Sequence, residues 1–142
     1  MRSSVRIAIF LLILLTAANS CGKKDRAASE EGEAASSSKI LTLDAGSMDA
    51  FLAAGGPAII EFGGKRCLPC MEMRKTLDKL GELRKGVRLG IVYWEDNPEL
   101  FEKWKVGLIP AQIVFDGSGR EVTRHRGSWE LDSLLAQIDG LK

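Results

Sequence analysis

The spacing of hydrophobic positions changes several times after residue 39, and each change marks an element. Ile40-Leu41-Thr42-Leu43 is a short β-type run. Ser47 then offers an N-cap for a helix with Met48, Phe51 and Leu52 on one face, and Gly55-Gly56-Pro57 stops it. Ala58 to Phe62 is a second strand, apolar at every position except Glu61. The period then lengthens: Cys70, Met73, Leu77 and Leu80 recur at helical spacing, with Glu72, Arg74, Lys75, Asp78 and Lys79 between them. Val87 to Trp94 is a third strand. Asn97-Pro98 opens another helix, with proline at its first position and Leu100, Phe101 and Trp104 following. Ala111 to Phe115 and Glu121 to Arg126 are strands joined by Asp116-Gly117-Ser118-Gly119 as a hairpin. Ser128 caps a last helix with Leu131, Leu134, Leu135 and Ile138 as its buried stripe. Alternating strands and helices over residues 40–142 predict one α/β layered domain.

The segment before that domain has a different character. Residues 1–21 hold Arg2 and Arg6, an unbroken apolar run from Val5 to Leu15, and small residues ending at Cys21. That pattern is an export signal, and the run is shorter than the roughly 20 residues of a spanning helix. Ala18-Asn19-Ser20-Cys21 resembles the lipobox of bacterial lipoproteins, with alanine where leucine is commoner. The resemblance implies that Cys21 is acylated and becomes the mature N-terminus, the alternatives being a cleaved soluble form or an uncleaved anchor. Gly22 to Ser38 has no apolar residue larger than alanine and reads as a flexible tether. The expected division is a signal peptide over 1–20, the lipid-attachment cysteine and linker over 21–39, and the domain over 40–142. The protein is expected at the periplasmic or other extracytoplasmic face, lipid-anchored to a bacterial membrane.

Composition adds little to this. The chain is 45% hydrophobic and 27% charged, an ordinary globular balance. Twenty basic against nineteen acidic side chains leave no field for a nucleic-acid partner, and a monomer is expected.

The chemistry concentrates at Cys67-Leu68-Pro69-Cys70. Two thiols at this spacing can close a disulfide, and lipidation of Cys21 would account for the third cysteine. Unpaired N–H groups and the positive end of the dipole at a helix start favour a thiolate, the reactive form of cysteine. A structural bridge across two residues closes too small a loop to stabilise by entropy. Zinc usually takes four ligands; the domain offers one histidine, His125, and no second cysteine pair, so no metal is expected. Glu61, inside an apolar strand, is either a buried acid with a raised pKa or an edge residue facing solvent. Lys65 and Arg66 flank Cys67 and either lower its pKa or are simply solvated. His125, between Arg124 and Arg126, reads as exposed, and Trp94, Trp104 and Trp129 as packing residues.

The order of elements resembles the thioredoxin family over nearly all of residues 40–142. The likeness rests on the cysteine motif, on a strand ending at Glu61 six residues before Cys67 where thioredoxins have a buried aspartate, on Ile109-Pro110 ahead of a strand, and on Gly127 before the last helix. It implies a thioredoxin fold: a central mixed five-stranded sheet, order 1-3-2-4-5, with helices on both faces. It further implies that Cys67 is the nucleophile, that Cys70 resolves the mixed disulfide, and that Glu61 takes the Cys70 proton through water. Pro110 would carry a cis peptide bond, exposing the Ile109 backbone to a substrate strand, with Leu68 and Pro69 completing the substrate surface. Three departures stand out: Arg66 replaces the usual tryptophan, Leu-Pro replaces Gly-Pro, and Ile91 stands where thioredoxins place a lysine near the buried acid. The expected activity is an exported, membrane-tethered thiol–disulfide oxidoreductase, working as a reductase. It would need no cofactor beyond its own dithiol, acting on protein disulfides and drawing electrons from a membrane thiol donor. The alternative is a non-catalytic module of the same fold that binds a protein partner or copper through the cysteines.

Overall fold

Alternation along the strands sorts the residues onto the two faces of one sheet. The computed structural model describes residues 39–141, so the signal segment, Cys21 and the tether lie outside the described residues. In chain order the elements are β1 (Leu41–Thr42), α1 (Ala45–Ala53), β2 (Ala58–Gly63), α2 (Leu68–Leu83), β3 (Arg88–Tyr93), α3 (Pro98–Lys103), β4 (Ala111–Phe115), β5 (Glu121–Arg126) and α4 (Leu131–Asp139). The strand order is β1-β3-β2-β4-β5. The β1–β3 and β2–β3 pairs are parallel, and β2–β4 and β4–β5 are antiparallel, which gives the expected mixed sheet.

Ala58, Ile60 and Phe62 of β2 join Val92, Ala111, Ile113 and Phe115 in a core covered by Met48 and Phe51 of α1 and Leu100 and Phe101 of α3. Ile59, Leu89 and Val114 point the other way, into a core closed by Met73, Leu77 and Leu80 of α2 and Leu134 and Ile138 of α4. Helices therefore cover both faces, and the central strand β2 is buried at all six positions. A bidentate Arg84–Asp139 pair, at 2.7 Å, ties the end of α2 to the end of α4. Arg88 lies over the Phe51 ring and donates to the carbonyls of Phe51 and Gly56, fastening the end of α1 to β3.

Several expected boundaries move. Asp44, not Ser47, is the N-cap of α1: its Oδ1 accepts from the Ser47 N–H at 2.8 Å, and Ser47 Oγ accepts from the Asp44 N–H at 2.9 Å. Ser47 is the other half of a reciprocal capping box, three residues into the helix. Ser128 does not cap α4, which starts at Leu131 after Glu130. The intervening residues dock instead: the Ser128 carbonyl lies 3.0 Å from His125 Nε2, the Trp129 ring stacks on His125, and the Trp129 N–H points at Met73 Sδ. Strand β2 runs two residues past Glu61, to Gly63, so the acid sits inside the strand rather than at its end. Asn97 precedes α3 with Pro98 at the first helical position, and its side chain reaches the Leu43 carbonyl at 3.5 Å.

Gly90, opposite Leu41 in the β1–β3 ladder, has no room for a methyl group. A Cβ there would lie 2.5 Å from Leu43 Cδ1, 3.2 Å from Leu43 Cγ and 3.4 Å from Phe51 Cζ. Leu43 and Phe51 are themselves buried. Gly90→Ala is therefore expected to destabilise the fold by about 1–3 kcal/mol in chemical denaturation, and Leu43→Val in the same chain to recover part of that loss.

Candidate active site

Helix α2 begins where β2 has just emerged from the middle of the sheet, and the two cysteines straddle that start. Cys67 is the N-cap residue, in extended backbone, with proline in the first turn. Its Sγ accepts from the Cys70 N–H at 3.2 Å, and its carbonyl accepts from the Met71 N–H at 3.0 Å. The sulfur thus occupies the place of an N-cap oxygen, among the N–H groups that favour negative charge. Cys67 and Cys70 are joined as a disulfide with Cα atoms 5.2 Å apart. Cys67 is half-buried whereas Cys70 is completely buried, so only the first sulfur can meet a partner molecule.

Beneath Cys70 the sheet presents a carboxyl group. Glu61 is fully buried, opposite Ile91 of β3 on one side and Gln112 of β4 on the other. Neither carboxyl oxygen has a hydrogen-bond partner in the protein. Burial pushes the Glu61 pKa up from an ordinary 4.5 to about 8, against a smaller lowering by the Arg74 charge. The edge-residue alternative is thereby excluded. Gly63 is what brings the acid to the sulfur: a Cβ built on it would be 2.8 Å from Glu61 Oε1 and 3.4 Å from Cys70 Sγ. Those two atoms are therefore no more than about 6 Å apart, within reach of each other through one water.

Around the cysteines lie Ile109, Pro110, Leu68 and Pro69. The Ile109–Pro110 peptide is cis, and the Pro110 carbonyl accepts from the Gly127 N–H at 2.7 Å. Ile109 Cδ1 and Cys67 Cβ approach the same point above Gly64, at 3.2 and 3.3 Å from where a Cβ would lie. Leu68 and Pro69 stand exposed beside them, Leu68 at 74% of its surface. A groove of about 600 Å³ runs from Ile109 along Leu108, Val106, Phe101 and Trp94, the last half exposed and set edge-on against Phe101. Trp104 and Trp129 are packing residues, on Phe115 and on His125.

The charges around Cys67 are less simple than the sequence implies. Lys65 Nζ is paired with Asp96 at 2.6 Å, which raises the Lys65 pKa, and the Lys65 backbone N–H donates to both Glu95 carboxylate oxygens. Glu95 Oε1 also reaches to 3.5 Å from the Gly64 Cβ position. Arg66 is exposed. Arg74 donates to Tyr93 Oη at 3.2 Å, and the Tyr93 ring is flanked by the Arg74 and Lys65 cations. Gly63, Arg74, Tyr93, Glu95 and Gln112 were not singled out in the sequence as site residues. For Gln112 the signal was present: one polar residue inside an apolar strand, as for Glu61. Among the described residues no group of three or more histidine, cysteine or acidic side chains could hold a metal ion.

The fold is that of known proteins. The family model described as thioredoxin matches residues 39–140. A thioredoxin of Chlamydia caviae is 31% identical over 100 residues, covering 70% of this chain and 96% of its own. Three solved structures share the fold. A mutant thioredoxin of Halobacterium salinarum matches with TM-score 0.69 and 18% identity, covering 75% of this chain and 94% of its own. Chloroplastic thioredoxin z matches with TM-score 0.67 and 15% identity, over 72% and 94%. Mitochondrial thioredoxin 3 of Saccharomyces cerevisiae, in its oxidised form, matches with TM-score 0.65 and 20% identity, over 75% and 99%. With its cysteine pair at the head of α2, the chain belongs to the thioredoxin family of thiol–disulfide oxidoreductases.

Proposed function

We propose that the protein is an extracytoplasmic, lipid-tethered reductase of protein disulfides, with Cys67 as nucleophile, Cys70 as resolving cysteine and Glu61 as proton acceptor. The observation that carries the site assignment is the contrast within the pair: a helix-capping, solvent-reachable Cys67 sulfur and a buried Cys70 above a buried acid. In the reduced protein the Cys67 thiolate attacks one sulfur of a substrate disulfide. A mixed disulfide forms, and the other substrate sulfur leaves as a thiolate. Glu61 takes the Cys70 proton through water, and the Cys70 thiolate attacks Cys67 Sγ. That step closes the Cys67–Cys70 bond, releases the second substrate thiol and completes the transfer of two electrons to the substrate. A thiol donor at the membrane restores the dithiol. Leu68, Pro69 and the Ile109 backbone beside Pro110 form the surface on which the substrate strand lies, and the groove toward Trp94 extends it.

The direction of electron flow follows from how strongly the Cys67 thiolate is held. Strong oxidants of disulfides combine a thiol pKa near 3.5 with a potential of about −120 mV, and this requires donors beyond the helix terminus. Leu68 and Pro69 have no side-chain donor. The charge of Lys65 is engaged by Asp96, and the Glu95 carboxylate approaches Gly64 from the same side as Cys67, which opposes rather than favours a thiolate. The reduced form therefore gains little extra stabilisation, as a reductase requires.

Two measurements test this reading. In a dithiothreitol-coupled assay of disulfide reduction with the full chain, Cys67→Ser is expected to fall to the rate of dithiothreitol alone. A glutathione titration should give a midpoint well below about −120 mV with a Cys67 pKa nearer to roughly 7. A midpoint at the oxidant value would make the protein an oxidant instead.

The buried acid has a thermodynamic signature. Its folded-state pKa, about 8, lies above the ordinary 4.5, so the folded state binds a proton that the unfolded state has released across that window. Stability is thus fully present below the lower value and declines as pH rises toward the upper one, by at most about 1.4 kcal/mol per pH unit. Urea denaturation of the oxidised protein at pH 5 and pH 8 should show this decline, and Glu61→Gln should remove it.

Attachment is separable from chemistry. The short apolar run and Ala18-Asn19-Ser20-Cys21 support acylation of Cys21. Labelling with a radioactive fatty acid should mark the wild-type chain, and Cys21→Ala should abolish the label and leave the precursor uncleaved at that site. Undiminished labelling of the variant would remove the lipid anchor from the proposal.

A further inference from the structure

Three buried residues among the described ones are polar or charged: Glu61, Asn97 and Gln112. Two of them stand directly opposite each other. Glu61 of β2 is the register partner of Gln112 in β4, and both side chains point into the face covered by α2 and α4. Directly paired residues of an antiparallel ladder have their Cβ atoms about 4.5–5.5 Å apart, so a carboxyl and a carboxamide fill neighbouring places in an otherwise apolar layer. Both are 0% exposed. Both oxygens of Glu61, and both Oε1 and Nε2 of Gln112, lack a hydrogen-bond partner. Four orphaned polar atoms on two facing side chains are complementary to each other and to little else around them.

We propose that Gln112 is a positioning residue for Glu61, its carboxamide serving as the hydrogen-bond partner of the buried carboxyl group in both protonation states. The inference rests on Glu61 being the proton acceptor for Cys70. A carboxamide suits this task because it has both a donor and an acceptor. Ionised Glu61 accepts from Gln112 Nε2–H; protonated Glu61 donates its O–H to Gln112 Oε1. A rotation of the two side chains makes either contact directly, and one bridging water makes it at longer reach. An apolar residue would leave both states unpartnered, and a second ionisable residue would favour one of them. A proton acceptor has to pass through both states in each turnover, so an uncharged partner with both functions keeps the interconversion within reach in a layer that otherwise disfavours charge.

The surroundings leave this part to Gln112. From α2, Cys70 and Arg74 face the acid; Arg74 lowers the Glu61 pKa through its charge but spends a donor on Tyr93 and makes no hydrogen bond to Glu61. From β3, Ile91 is apolar and Tyr93 is turned to Arg74 and Lys65. From β5, His125 is the register partner of Gln112 on its far side, with Nε2 at the Ser128 carbonyl. Helix α4 contributes Leu134 and Ile138.

The test uses the full chain and the near-isosteric Gln112→Met. The pKa of Glu61 is read from its side-chain carboxyl carbon by NMR titration of the oxidised protein, which needs no turnover. Both contacts are lost, but the charge-assisted one to the carboxylate is the stronger, so the pKa should rise, by about one unit; Gln112→Leu, which deletes the same atoms with another shape, should raise it equally. At pH 7 the carboxylate fraction then falls about tenfold, and so should the rate at which Cys70 resolves a preformed mixed disulfide, with the pH profile displaced upward. In a Glu61→Gln background, Gln112→Met should cost nothing further. An unmoved Glu61 pKa in both variants would overturn the proposal, as would an equal loss of rate with and without Glu61, since Gln112 would then act through His125 or through packing alone. If Glu61→Gln by itself leaves the rate and its pH profile unchanged, the proton-acceptor role fails, while the titration of the oxidised protein still decides whether Gln112 partners the acid.

Discussion

Strand β2 is paired on both edges and covered on both faces, so every position along it is committed to packing. A strand so fully constrained delivers the following turn to a fixed point, and α2 starts there with Cys67 as its cap. The Cys67 sulfur takes its place from the register of the sheet and its electrostatic setting from the first turn of the helix. Neither Leu68 nor Pro69 has a side-chain donor. The chemistry of the pair is therefore governed by backbone geometry, with nearby carboxylates as its modifiers.

The same burial that fixes β2 makes Glu61 costly. It shares its face of the sheet with the apolar layer of Ile59, Met73, Leu77 and Val114. The carboxyl group is tolerated because it is mostly protonated near neutrality, and a group poised near pH 8 is chemically able to exchange a proton with a thiol. Gly63 belongs to the same arrangement. Any side chain there would enter the space where Glu61 Oε1 meets Cys70, so the small residue and the long acid are one device.

Much of this was legible in the sequence because strands and amphipathic helices announce themselves by local period. The five strands and the stripe from Cys70 through Leu80 are cases in point. Capping was less legible. Ser47 and Ser128 are both plausible N-caps, but Asp44 takes the cap of α1 with Ser47 as its reciprocal partner, and Ser128 is drawn into a contact with His125. The surroundings of the site were legible least of all, since Glu61–Gln112, Arg74–Tyr93 and Lys65–Asp96 join residues whose meeting depends on which strands are neighbours and in what register. A polar residue in an apolar strand can be seen from sequence; its partner requires the fold.

One departure from the family pattern illustrates how such a partner can shift. Where thioredoxins place a lysine near the buried acid, this chain has Ile91, directly opposite Glu61 in β3 and itself buried. The positive charge comes instead from Arg74, one helical turn beyond Cys70 on α2. An arginine held by a tyrosine hydroxyl, over the tyrosine ring, acts on the acid through space without forming an ion pair. A direct pair would have stabilised the carboxylate and brought its pKa down toward the ordinary range. With no hydrogen bond from Arg74 to the acid, desolvation outweighs its charge, and Glu61 keeps a pKa of about 8.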